Sequence, residues 1–224
     1  SWFHKLSMIN KLFAMVIGIS VGIAAVGALN YQSLQTVKVN GPHYQNLVLG
    51  KDLIADTLPP PIYITESFGA AHQILDDVQN ESRNLQALLT RYRNTEAEYN
   101  TRFEFWKKAN LNESMKAVLF KETAEPAIEF FKAMKTKFIP AAEKGDVATL
   151  QSMIRGELFT LYTQQAEAIA KLVKLTNEYN AQEEKLAAET VSRSVWLSIG
   201  SIVFLIAATL GLGFYVARQI AASA

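Results

Sequence analysis

Residues 195–217 read VWLSIGSIVFLIAATLGLGFYVA, 23 residues without a charge, and residues 12–29 read LFAMVIGISVGIAAVGAL, 18 more. A bilayer core takes ~20 apolar residues to cross as a helix, so both stretches are read as membrane spans. Between them lie residues 30–194, a polar segment the size of one domain. The tails, residues 1–11 and 218–224, carry Lys5, Lys11 and Arg218 and no acid. Short positive flanks stay cytoplasmic, which places residues 30–194 outside the inner membrane. The competing reading of the first stretch is a cleaved signal peptide ending near Val26-Gly27-Ala28. Its 18 residues exceed the ~7–15 of a signal peptide's apolar region. Gly18 and Gly22 have the GxxxG spacing that lets helices approach closely and fits a dimer, although glycine is common in membrane helices generally.

The polar segment has a near-balanced charge. With Lys5, Lys11 and Arg218 in the tails, it holds 19 basic residues against 21 acidic ones. Such a balance gives no electrostatic reason to expect nucleic acid as a partner. The chain has no cysteine, which excludes disulfides, thiolate metal sites and thiolate nucleophiles.

The segment reads as helix throughout. From Ile64 to Trp106 apolar residues return at alternating intervals of three and four, interrupted only by Ser82 and Glu96. Residues 154–186 repeat the pattern through Ile154, Leu158, Leu161, Gln165, Ala168 and Leu172, and no stop signal separates it from Val195. Gly41-Pro42 interrupts the first helix and Pro59-Pro60-Pro61 ends it, because proline lacks the amide and clashes with the preceding turn. Asn110–Asn112 forms the next turn; Gly145-Asp146 supplies a helix stop and then an N-cap. Pro126 is expected to kink the third helix. The expected fold is therefore all-α: an antiparallel up-down four-helix bundle, with helices near 30–58, 62–108, 112–144 and 146–194, flanked by two transmembrane helices.

No catalytic constellation is present: the sequence has no HExxH, no phosphate-cradling glycine loop and no nucleophile elbow. Neither enzyme activity, a cofactor nor a metal is expected. His43 and His72 could meet across the first two helices, but an isolated histidine pair is more often structural. Five residues are candidates for ligand contact. Lys51 shares a stripe with Tyr44, Leu47, Ile54 and Leu58, where a lysine is costly to bury unless paired or facing a wet groove; pairing with Asp52 is the plain alternative. Arg155 and Tyr162 lie seven apart on a second stripe of the fourth helix, where guanidinium and phenol suit a carboxylate; an ordinary subunit contact or a solvated edge is the plainer alternative. Tyr63 and Glu66 follow the triple proline and either close a pocket or cap the turn.

The layout resembles bacterial methyl-accepting chemotaxis receptors. Gly50-Lys51-Asp52-Leu53-Ile54-Ala55-Asp56-Thr57-Leu58-Pro59-Pro60-Pro61, followed by Tyr63-Ile64 and Glu66, is similar to a segment found in a subset of their sensor domains. Arg218-Gln219-Ile220 resembles the entry to a HAMP linker, although the proline-leucine pair expected a few residues later does not occur before Ala224. The resemblance implies a homodimer in the bacterial inner membrane with its sensor in the periplasm. It implies a small-molecule ligand bound where first and fourth helices of two subunits meet, and a cytoplasmic kinase and coupling protein engaged beyond Ala224. The residues themselves lean toward a carboxylate or amino acid as ligand. The chain is thus expected to be a piece of a chemoreceptor that passes a periplasmic signal inward by helix displacement. Two alternatives share its features: the same input module on a sensor histidine kinase or cyclic-dinucleotide enzyme, and a membrane-anchored structural or adaptor protein.

Overall fold

The computed structural model describes residues 8–58 and 63–223, so the triple proline lies outside the described residues. Every regular element among them is helical and none is a strand. In chain order they are α1 (Met8–Val37), α2 (Pro42–Thr57), α3 (Thr65–Asn80), α4 (Leu85–Lys108), α5 (Glu113–Ala117), α6 (Ala124–Ala133), α7 (Ile139–Glu143), α8 (Val147–Arg155) and α9 (Glu157–Ser223). The chain divides into two compact units, Ser1–Leu47 with Gln182–Ala224, and Val48–Ala181.

The first unit contains α1 and the later part of α9, each long and apolar enough to cross a membrane. Their large apolar side chains face outward: Phe13, Ile17, Val21, Trp196, Phe204 and Phe214 are all at least 56% exposed. A water-soluble surface rarely shows so continuous an apolar face, whereas a lipid-facing one does. On the inner side Gly22 meets Leu205, and a Cβ added there would lie 2.7 Å from its Cδ2. Gly18, the other half of the GxxxG, has open space around it. One of the two glycines therefore serves packing within the chain. Asn40, at a positive φ of 65°, turns the chain between α1 and α2.

The second unit has its own core, with Leu53, Ile74, Tyr92, Trp106, Phe130 and Leu158 fully buried. Several helix ends form where polar side chains can cap them. Asn112 accepts from the Met115 amide at 2.8 Å, Gly145 takes a φ of 70°, and Asp146 accepts from the Thr149 amide at 3.0 Å.

Two expected helices are divided further, and a third changes its winding. The stretch 62–108 is broken between α3 and α4, where Glu81 and Arg83 are left-handed. The apolar repeat passes through this point, but Asn80-Glu81-Ser82-Arg83-Asn84 offers no apolar side chain to hold a helix together. Asp77 competes for the freed amides: its carbonyl accepts from Ser82 at 3.1 Å and its buried carboxylate from Asn84 at 2.8 Å. The stretch 112–144 stays helical over residues 113–143 but includes two π-helical segments, Val118–Thr123 and Met134–Phe138. Pro126 lies in the first turn of α6, after the first of these segments. The stretch 146–194 is divided at Gly156, where a Cβ would sit 3.0 Å from the Ser152 carbonyl oxygen. Beyond that break α9 continues through Val195 to Ser223.

Gly50 of α2 is buried against Asn180 of α9, so close that a Cβ would lie 2.1 Å from Asn180 Oδ1. Gly50→Ala should lower the melting temperature, because overpacking costs ~1–3 kcal/mol and exceeds the helix-propensity gain of ~1 kcal/mol. In an Asn180→Ala background the same change should stabilise, and thermal denaturation of the four variants checks the reversal of sign.

The Asp146 cap gives a pH-dependent prediction. The Thr149 hydroxyl and amide hold its carboxyl below the ordinary 3.8. A depressed carboxyl stabilises the fold above its unfolded value, and that stabilisation is lost as pH falls through the folded one. The melting-temperature gap between the native chain and Asp146→Ala should therefore be full at neutral pH and close below about pH 4.

Candidate ligand groove

The segment leaving the triple proline is held by one buried glutamine. Gln165, fully buried on α9, accepts from the Ile64 amide at 2.9 Å and donates to the Thr123 carbonyl at 3.4 Å. Thr123 ends the first π-helical segment. Gln165 thus fixes the entry to α3 against two other elements of the same unit.

With Ile64 fixed, Tyr63 lies against Tyr162. Their rings are stacked, 5.8 Å between centroids and 5° from parallel, and the two hydroxyls are 3.3 Å apart. Burial, followed by the Tyr162 hydroxyl, raises the Tyr63 phenol above its ordinary 10.0, and a hydrogen bond with Thr65 partly offsets this. Phe68 stacks on Tyr162 at 4.8 Å, and His72 stands edge-on to Phe68 at 4.9 Å. Beside this aromatic stack is an open groove of about 630 Å³ with Leu58, Tyr63, Ile169 and Val173 along it and Lys174 and Glu178 at one end. The last two are 4.0 Å apart and both exposed. Its chemistry suits a small molecule with an apolar body and a charged or zwitterionic head.

The five sequence candidates separate here. Tyr63 lines the groove and Tyr162 supports it. Lys51, Glu66 and Arg155 are exposed, do not line the groove, and make no ion pair among the described residues. Each has a local reason. The buried face of α2 is Gly50, Leu53 and Thr57, one position away from the stripe containing Lys51, so its ammonium remains in solvent and bears no burial cost. Arg155 ends α8 and Tyr162 belongs to α9; the break at Gly156 falls between them, so a seven-residue spacing no longer places them on one face. Glu66 occupies the first turn of α3, where a carboxylate favours the helix's positive end.

Two residues without an assigned role in the sequence reading prove important. Asp56 accepts through Oδ2 from Arg102 Nε at 2.7 Å, from a second Arg102 nitrogen and from Trp106 Nε1 at 2.8 Å, tying the end of α2 to α4. Arg102 also lies 4.4 Å over the Phe105 ring. Gln165 was visible as a polar residue within an apolar stripe, and Asp56, half-buried, as an acid beside Leu53 and Thr57. The histidines have different surroundings. His43 Nδ1 is 2.7 Å from Glu183 Oε2, while His72 packs on Phe68. No group of three metal-ligating side chains occurs among the described residues.

No protein-family model, curated protein or solved structure matches the chain.

Asp56→Ala should cost ~1.5–3 kcal/mol, the range for hydrogen bonds to a charged group, by leaving Trp106 Nε1 and the Arg102 guanidinium unpaired. Chemical denaturation checks this: a loss below ~0.5 kcal/mol would show that the contact contributes no more than an ordinary surface ion pair.

Proposed function

We propose that the chain is the sensory input module of a bacterial transmembrane chemoreceptor. In this reading α1 and the later part of α9 cross the inner membrane, and the intervening helices form a periplasmic sensor of the four-helix type. The module works as a homodimer without enzymatic activity and drives a cytoplasmic kinase through a coupling protein. The observation carrying the proposal is α9 itself. One helix from Glu157 to Ser223 includes Tyr162, Ile169, Val173 and Lys174 of the groove region and then the 23-residue apolar run. The ligand is a small carboxylate or amino acid, with its apolar part along Ile169 and Val173 and its charged head toward Lys174 and Glu178. Binding alters output only if the ligand prefers one arrangement of α9 over another.

The test is a thermal-shift screen of the whole chain in lipid nanodiscs against organic acids and amino acids. A binder at ~100 times its dissociation constant stabilises the fold by ~2.7 kcal/mol. The shift should disappear in Tyr63→Ala and Lys174→Ala. A shift that survives both and disappears in Lys51→Ala or Arg155→Ala would remove the groove from the account. Inserting several glycines after Ala187 should preserve binding and abolish output from a fused signalling domain.

A further inference from the structure

A second cavity lies where the apolar runs of α1 and α9 meet their polar continuations. Leu29 ends one run and Val195 begins the other. At this level, within the unit containing both helices, a cavity of about 220 Å³ is lined by Asn30 and Ser33 from α1 and by Thr190, Arg193, Ser194 and Ser198 from α9. Val26, Leu29 and Leu197 add an apolar wall beside this polar group, and Ser201 lines the cavity further along the apolar run of α9. No acidic side chain lines it. Ser198 Oγ lies 2.7 Å from both Asn30 Oδ1 and the Ser194 carbonyl, so a polar contact joins α1 and α9 at the cavity. Arg193 makes no ion pair among the described residues, and the Ser33 and Ser194 hydroxyls make no side-chain hydrogen bond there. Tyr31 and Trp196, 65% and 70% exposed, stand at the same level along their helices.

Each feature has a counterpart in a lipid. Tyrosine and tryptophan are enriched where headgroups begin, which is the depth of the lipid phosphate. A guanidinium forms paired hydrogen bonds with phosphate oxygens, and serine hydroxyls donate to the remaining ones. The apolar wall suits the start of an acyl chain, while the absence of acids removes repulsion against an anion.

We infer that the cavity binds the phosphodiester of a membrane phospholipid, favouring a lipid of net negative charge, with Arg193 as the principal contact. The inference rests on the reading that α1 and α9 cross a membrane.

The test uses the full chain in vesicles of equal phosphatidylglycerol and phosphatidylcholine, followed by native mass spectrometry of lipid retained after detergent extraction. The native chain should retain phosphatidylglycerol preferentially. Arg193→Gln should reduce that preference about fivefold, the ratio that ~1 kcal/mol per basic residue represents. Arg193→Lys should retain part of it, and unchanged helical circular dichroism should accompany both. Equal retention by the native chain and Arg193→Gln, with the chain resisting alkaline carbonate extraction, would overturn the lipid site alone. Release by carbonate would overturn the membrane reading and the lipid site with it. Protection of Arg193 from arginine-specific modification by inorganic phosphate, without lipid preference, would assign the cavity to free phosphate and overturn the lipid source.

Discussion

The position of the candidate groove depends on a buried amide. Gln165 lies in the core stripe of α9 and would be costly there without partners. It meets the cost by holding Ile64 just after the triple proline and Thr123 at the end of a π-helical segment. Both contacts use backbone groups at irregular points of the chain, where regular helix pairing is interrupted. The glutamine therefore fixes where α3 begins, and that beginning places Tyr63 on Tyr162. A leucine at position 165 would suit the apolar pattern and leave both backbone groups without their partner.

The same principle appears elsewhere in this unit. Asp56 gathers nitrogens from Arg102 and Trp106 and fixes the last turn of α2, immediately before the prolines. Asp77 closes α3 through both its carbonyl and its carboxylate. Tyr92 and Tyr99 are different: their hydroxyls are buried without a partner among the described residues, and burial pushes both phenols well above their usual range. The fold thus spends its polar contacts on helix ends and relies on aromatic packing within the core.

The sequence makes helical class, the two long apolar helices, the turn at residues 110–112 and the cap at Asp146 legible, because spacing and capping chemistry are local. The breaks at residues 81–84 and 156 are less visible. The apolar repeat loses one position at Ser82 and none across Gly156; contacts to Asp77 shape the first break, and a non-helical glycine backbone makes the second. The second break also separates the candidate site. Tyr63 and Tyr162 meet through tertiary packing that spacing does not encode, while Arg155 leaves its expected face because Gly156 ends the helix before it can propagate. Lys51 shows the sensitivity of a stripe argument to phase: moving the buried face by one residue turns a costly buried lysine into an ordinary solvated one.

The proposed role joins these features through α9, which carries Gln165, Tyr162 and the apolar run in one helix. Its central requirement is that both apolar runs cross the same membrane with residues 30–194 outside. The absence of cysteine makes this directly measurable. Single cysteines at Ser82 and Arg218, both exposed positions, can be challenged in intact cells with a membrane-impermeant maleimide. The account predicts labelling of Ser82→Cys in intact cells and of Arg218→Cys only after lysis. Labelling of Arg218→Cys in intact cells, or protection of Ser82→Cys until lysis, would contradict it.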